Sequence, residues 1–194
     1  MQNTVTTRRM IRATAATVAF AAAATTFATT ASPAAAVPSG WSTVQSCTSA
    51  MGSLSYQPGL TNTARAQTGA LSATLTGCTS AFSGAAAGEG RLTASLSGPS
   101  STASVAQSGT FTINWPVASA LNPSNGTFAI AGPDATGHYT ASGSITSGAF
   151  PGAWLGVTFV VTGVNPAANG STAHLVSRQQ LTNTAPLQVR RNTW

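Results

Sequence analysis

Apolar and polar residues alternate with a period of two along most of the chain. Leu71, Ala73 and Leu75 alternate with serine and threonine, and so do Leu92, Ala94 and Leu96. Side chains two residues apart lie on the same face of a β-strand, so each set places its apolar side chains on one face. The pattern is typical of strands with one buried face.

The alternation becomes stronger in the second half of the chain. The run from Trp154 to Val164 is apolar on both faces, which predicts a strand at the centre of a sheet. Trp115 and Trp154 fit the alternation, and we expect both to be buried. The other sets that share a face are Phe111, Ile113 and Trp115; Phe128 and Ile130; and Tyr139, Ala141 and Ile145.

Glycine, proline and asparagine interrupt the pattern at short intervals and predict turns. About eight to ten short strands with little helix predict an all-β chain, folded as an antiparallel β-sandwich, with a partly open β-barrel as the alternative. The predicted turns are Pro58-Gly59, Asn122-Pro123, Asn125-Gly126, Gly132-Pro133, Pro151-Gly152, Asn165-Pro166 and Asn169-Gly170.

The N-terminal region has the composition of a signal peptide. Three arginines and no acid precede an apolar stretch that ends at Pro33-Ala34-Ala35-Ala36. We therefore predict a signal peptide over residues 1–36 and a single domain over residues 37–194, in a secreted protein. An uncleaved membrane anchor and an alanine-rich helix are the alternatives for residues 1–36. Because no second long apolar run follows, we expect no membrane span after residue 36.

The two cysteines, Cys47 and Cys78, both follow the predicted signal peptide. In an exported chain such a pair predicts a disulfide, with two buried thiols as the alternative. Their spacing is not that of a redox or zinc motif, and the sequence implies no metal and no other cofactor.

The net charge of the chain is low, and arginine supplies all of its lysine-type or arginine-type positive charge. Of eight arginines, three lie in residues 1–36, so residues 37–194 carry five arginines against Glu89 and Asp134, a net charge of +3. These arginines are too dispersed to follow a phosphate backbone, and we expect no nucleic acid partner.

Few residues are available for catalysis. Glu89 and Asp134 are candidates for the acid pair of a glycosidase, and Asp134 with His138 for a Ser-His-Asp arrangement. Both acids lie in loop-like contexts, where carboxylates are usually solvated, and Asp134 is suited to capping the turn before Tyr139. The sequence thus assigns no catalytic residue and does not favour an enzyme.

Four segments carry distinctive local motifs: a Pro-Gly-Leu turn, a strand ending in cysteine, a strand ending in tryptophan and a glycine-rich hairpin. The segments are Ser55–Thr61, Leu75–Cys78, Gly109–Trp115 and Gly143–Gly152. In these motifs the chain resembles small secreted proteins of actinobacteria. The resemblance implies a secreted β-sandwich, but no reaction, ligand or catalytic residue.

Large aromatic residues point to binding. Trp41, near the start of the domain, and Trp194, at the end of the chain, are candidate platforms for a sugar or a protein partner, and Tyr56 is a third candidate binding residue. We therefore predict a non-catalytic extracellular or surface-associated protein, with cell-wall polysaccharide or another extracellular protein as its partner. A secreted hydrolase and a protein-binding inhibitor or effector are the alternatives.

Overall fold

Nine β-strands make up the described part of the chain. The computed structural model describes residues 40–81, 88–165 and 176–192, all within one unit of the chain, Ser32–Trp194. The predicted signal peptide and Trp194 lie outside these residues. The strands are β1 Trp41–Leu60, β2 Arg65–Ser80, β3 Glu89–Ser100, β4 Val105–Asn114, β5 Ser124–Gly132, β6 His138–Ser147, β7 Trp154–Asn165, β8 Val176–Asn183 and β9 Leu187–Asn192, with a 3-10 turn at Val117–Ser119.

The strands form a closed antiparallel barrel. Each strand from β1 to β8 pairs with the next, and β8 pairs back with β1. β1 is therefore paired along both edges, from Gln45↔Ser80 to Gln57↔Thr68 with β2 and from Met51↔Thr182 onward with β8. The predicted β-sandwich is wrong, and the barrel predicted as its alternative is closed. The all-β prediction is confirmed.

The eighth position in the barrel is shared by β8 and β9, which lie end to end between β7 and β1. One half of β1 pairs with β9, as in Cys47↔Leu187, and the other half pairs with β8. β7 divides its pairing in the same way. The amide of Asn183 spans the break. Its Oδ1 accepts from the Ala50 N–H at 2.8 Å, and its Nδ2 donates to Thr48 O at 3.0 Å and Ala185 O at 2.9 Å.

The barrel interior is filled by the apolar sets that alternation predicts. Buried members come from the strands β2 to β7, and they include Leu75, Leu92, Ile113, Phe128 and Ile130. Phe111 packs against Phe128 with ring centroids 5.7 Å apart. These faces are confirmed as the core, and side chains filling the interior are what an eight-stranded barrel has room for.

Trp154 was predicted to be buried and is not, and Val164 at the end of the same run is 56% exposed. Leu155, the neighbour of Trp154, is fully buried and points inward, so alternation along β7 places Trp154 on the outer face, where it is half-buried. The prediction was wrong because a strand that is apolar on both faces need not have protein on both sides. Trp115 is buried as predicted, and its Nε1 donates to Ser124 Oγ at 3.0 Å.

Two predicted turns lie inside strands. Pro58-Gly59 belongs to β1, where the register with β8 shifts between Ser55 and Leu60. Asn125-Gly126 belongs to β5, at a shift in its register with β6. Glycine and proline therefore mark irregularities in the ladder here rather than ends of strands. Asn122-Pro123, Gly132-Pro133 and Pro151-Gly152 lie at connections, as predicted, and Asn169-Gly170 is outside the described residues.

The predicted disulfide is confirmed. Cys47 and Cys78 lie directly opposite each other on β1 and β2, and both are buried. Among the described residues there is no helix with the length and hydropathy that crossing a lipid bilayer requires.

Candidate binding surface on the barrel exterior

Trp154 covers a glycine on the outer face of β7. A methyl group on Gly156 would lie 1.9 Å from Cη2 of the Trp154 indole and 2.4 Å from Cζ3. Gly156 is two residues from Trp154 and therefore on the same face of the strand. The indole can lie close over the sheet only because Gly156 has no side chain. Such a cover also stabilises a glycine within a sheet, which is its simplest structural role.

A basic group lies directly beside this tryptophan. Arg190 of β9 is opposite Trp154 on β7 and opposite Thr43 on β1. Its Nε donates to Gln188 Oε1 at 2.8 Å, and its Nη2 contacts the same oxygen. No carboxylate in the described residues pairs with Arg190, so its positive charge is not neutralised by the protein there.

A cleft opens next to Trp154 on the same face. Its volume is about 240 Å³. Hydroxyl and amide groups from β6, β7 and β9 provide hydrogen-bonding partners beside the aromatic ring. The lining residues that carry this argument are Thr140, Ser142, Trp154, Gly156, Thr158 and Gln188. We refer to Trp154, Arg190, Gln188 and this cleft as the exterior patch.

A larger groove of about 630 Å³ lies elsewhere on the barrel. It contains exposed Arg178 and several small polar residues, and Tyr56 is the aromatic residue among its described lining residues. Because the Tyr56 side chain is buried inside the barrel, these described residues present no aromatic face to a ligand. The exterior patch therefore combines more of the groups that binding requires.

The three predicted binding residues have different positions. Trp41 is partly exposed at the start of β1, opposite Asn192, and its strand neighbour Thr43 lies opposite Arg190. It is thus close to the exterior patch in the register of the sheet. Tyr56 is buried, so it is not a surface platform. Trp194 lies outside the described residues.

Tyr56 belongs to a polar chain inside the barrel. Its hydroxyl donates to Gln179 Oε1 at 2.5 Å, and Gln179 Nε2 donates to the Tyr139 hydroxyl at 3.5 Å. Burial raises the pKa of Tyr56 far above its ordinary value, and the nearby Tyr139 raises it further. Burial also raises the pKa of Tyr139, which the hydrogen bond with Gln179 partly offsets. Both phenols are held neutral.

Asp134 and His138 close the turn between β5 and β6. Asp134 Oδ1 accepts from Thr136 Oγ1 at 2.7 Å and from the N–H groups of Thr136 and His138 at 2.8 and 3.0 Å. The Thr136 hydroxyl, followed by the His138 N–H, lowers the pKa of Asp134. The predicted capping role is confirmed. His138 Nδ1 lies 2.6 Å from Thr136 Oγ1, so the histidine ring belongs to the same turn network.

The two acids cannot act as a glycosidase pair. Glu89 is the first residue of β3. The turn that contains Asp134 follows Gly132, which pairs with Val105, and Val105 in turn pairs with Ser100, the last residue of β3. The two acids are therefore near opposite ends of β3. β3 has 12 residues, which correspond to roughly 40 Å at about 3.3 Å per residue. Glycosidase carboxylates are about 5–9.5 Å apart. No three His, Cys, Asp or Glu side chains in residues 40–81, 88–165 and 176–192 are close enough to hold a metal ion.

Sequence reasoning missed Arg190, Gln188 and Gly156. Arg190 and Gln188 come from a different strand than Trp154, and only the barrel brings β9 beside β7. A local signal for Gly156 does exist, because Trp154-Leu155-Gly156 places a large aromatic and a glycine on one face of a strand.

Comparisons with known proteins found no relative of this chain. No protein-family model, no curated protein and no solved structure matches it. The resemblance to secreted actinobacterial proteins therefore stays a prediction from the sequence.

Proposed function

We propose that this protein is a non-catalytic, exported glycan-binding barrel that binds acidic polysaccharide through the exterior patch. The observation that carries the proposal is the Trp154 indole, held over Gly156 on the outer face beside Arg190, which pairs with no carboxylate of the described residues. Export remains a prediction. The Cys47–Cys78 disulfide supports it, because disulfides persist mainly in oxidising compartments.

The chemistry of the patch fits a sugar ring that carries a carboxylate or phosphate. The negatively polarised face of an indole attracts the C–H groups on the flat side of a sugar ring. Hydroxyls of Thr140, Ser142 and Thr158 are positioned to exchange hydrogen bonds with sugar hydroxyls. Arg190 supplies charge for an acidic substituent, and arginine with an anionic oxygen forms the stronger class of hydrogen bond.

The test is a pelleting assay of the oxidised protein on two matrices with the same backbone, cellulose and carboxymethyl cellulose. We expect saturable binding that is tighter on the carboxylated matrix. Trp154→Ala should weaken binding to both about fivefold to tenfold, from the loss of stacking worth about 1–1.4 kcal/mol. Arg190→Gln should weaken binding to carboxymethyl cellulose alone.

Matched controls separate the patch from general charge and hydrophobicity. Arg65→Gln removes an exposed arginine at the start of β2, and Met51→Ala removes a side chain that is 57% exposed on β1. Both should bind as the parent protein does. If Trp154→Ala and Arg190→Gln also bind unchanged, the site is wrong. If the parent protein binds neither matrix nor isolated bacterial cell walls, the glycan function itself is wrong and a protein partner becomes the better hypothesis.

A further inference from the structure

One end of the barrel interior is polar although it is closed to solvent. Gln67 and Gln107 are 3% exposed, Gln179 is 4% exposed and Ser100 is fully buried. None of the buried polar residues among those described is charged. The connections over this end contact each other, because Thr102 N donates to Thr61 O at 2.9 Å and Thr102 Oγ1 to Asn62 Oδ1 at 3.1 Å.

Some of the polar atoms at this end form hydrogen bonds with protein groups. Tyr56, Gln179 and Tyr139 form the hydrogen-bonded chain described above. Gln67 Nε2 donates to Gly59 O at 3.0 Å. These contacts hold the four side chains Tyr56, Gln179, Tyr139 and Gln67 in place.

Four buried atoms on three adjacent strands have no hydrogen-bond partner in the described structure. They are Gln67 Oε1, Ser100 Oγ and both amide atoms of Gln107. Gln67 lies opposite Gly98, and Gly98 lies beside Gln107, whose Cα is 3.0 Å from where a Gly98 methyl would be. Ser100 is on the same face of β3 as Gly98. The four atoms therefore converge on one part of the interior.

Glycines allow close approach of the groups around these side chains. A methyl group on Gly98 would lie 2.2 Å from Ala106 O, so β3 and β4 come close together beside Gln107 only because Gly98 has no side chain. A methyl group on Gly69 would lie 2.2 Å from Gln107 Oε1, so the Gln107 amide occupies the place of that side chain. An eight-stranded barrel has room either for side chains alone or for one small guest.

We propose that this polar end binds a small neutral guest that both donates and accepts hydrogen bonds, either buried water or the hydroxyl groups of a compact organic molecule. The set of four atoms offers two amide oxygens that only accept, an amide nitrogen that only donates and a hydroxyl that does both. A water molecule with three to four such partners is a common structural component of proteins. Because no charged side chain is buried among the described residues, a neutral guest is favoured over an ion. This site is separate from the exterior patch, so either proposal can fail alone.

The first test is the sign of a stability change. Gln107→Met removes both unpartnered amide atoms and keeps the volume, and Ser100→Ala removes an unpartnered hydroxyl. If a guest bridges these groups, each variant leaves some of the guest's hydrogen bonds unmade, and the midpoint of thermal unfolding falls by about 3–6 °C. If the atoms are simply unpaired, removing them raises the midpoint, which would overturn the proposal. The circular dichroism spectrum confirms that each variant is folded.

The second test identifies the guest in the full oxidised chain. A high-resolution crystal structure should show density within about 3.2 Å of Gln107 Oε1 or Nε2. Native mass spectrometry then distinguishes the sources, because an organic guest adds mass that disappears on denaturation, whereas water leaves the mass of the bare chain. A dry site in the crystal, with Gln67 and Gln107 bonded to each other, would contradict the proposal.

Discussion

Tyr56 and Tyr139 are the only two tyrosines in the chain, and both are buried inside the barrel. Burial raises both pKa values because a phenolate loses its hydration in the interior. A group with a raised pKa contributes stability that is complete below its unfolded pKa and is lost as the pH rises above it. For tyrosine this loss begins near about pH 10.

We therefore predict that the phenols ionise only when the barrel unfolds in alkali. In the folded protein, tyrosinate absorbance should stay almost absent as the pH is raised past about 10. It should rise only at the higher pH at which the circular dichroism signal is lost. The chain in denaturant provides the control and should ionise near about pH 10. Ionisation near that pH with the barrel intact would show that the two side chains are accessible.

Strand β7 explains how one element serves both the core and the exterior patch. Leu155, Val157 and Phe159 face the interior, whereas Trp154 and Gly156 face outward. The run is thus apolar for a different reason on each face: its inward side chains fill the core, and outward Trp154 covers Gly156. A tryptophan on the outer face has a local partner in Gly156 and does not require a second layer of protein.

On β7 we predict that a substitution can weaken glycan binding without a large change in stability. In Gly156→Ala the new methyl group would lie 1.9 Å from the Trp154 indole, so the ring must move away from the sheet. Glycan binding should fall about as much as in Trp154→Ala, with a change in the free energy of unfolding within about 1 kcal/mol, since glycine itself weakens a strand.

Gly163→Ala is the matched control on the same strand. Its new methyl group would meet Gln180 Cγ at an ordinary 3.6 Å, and binding should be unchanged. The measurements are the pelleting assay and denaturant unfolding. Equal binding by Gly156→Ala and Gly163→Ala would show that the position of the Trp154 ring is not important.

At the scale of the whole molecule, closure depends on the junction of β8 and β9. Between Met51↔Thr182 and Cys47↔Leu187 the backbone ladder of β1 is interrupted, and the Asn183 side chain bonds across this gap. The bond to Ala50 joins residues 133 positions apart in sequence. One amide thus replaces backbone hydrogen bonds where the chain returns to its first strand.

Asn183→Ala should therefore destabilise the barrel by about 2–3 kcal/mol, because it removes three hydrogen bonds and leaves the Ala50 N–H without its partner. Denaturant unfolding should show a lower midpoint with an unchanged slope. Asn62→Ala, which removes one exposed bond to Thr102, should stay within about 0.5 kcal/mol of the parent protein. Equal effects of the two substitutions would contradict a special role for Asn183 in closure.

The sequence by itself determined the all-β class and the inward faces of strands such as β3, and it predicted the disulfide. These properties are local or follow from few choices: alternation assigns Leu92, Ala94 and Leu96 to one face whatever the sheet, and two cysteines can form only one bridge. The capping role of Asp134 was readable for the same reason, since its partners Thr136 and His138 are within four residues.

Only the tertiary structure decided that the sheet closes into a barrel and which side chains meet on its surface. A strand facing a sandwich core and one facing a barrel interior have the same alternation, and closure depends on backbone pairing between β1 and β8, which leaves no distinct side-chain pattern. The same closure brings Arg190 beside Trp154 and encloses Tyr56. The exterior patch and the polar interior are therefore products of long-range pairing that the order of residues does not reveal.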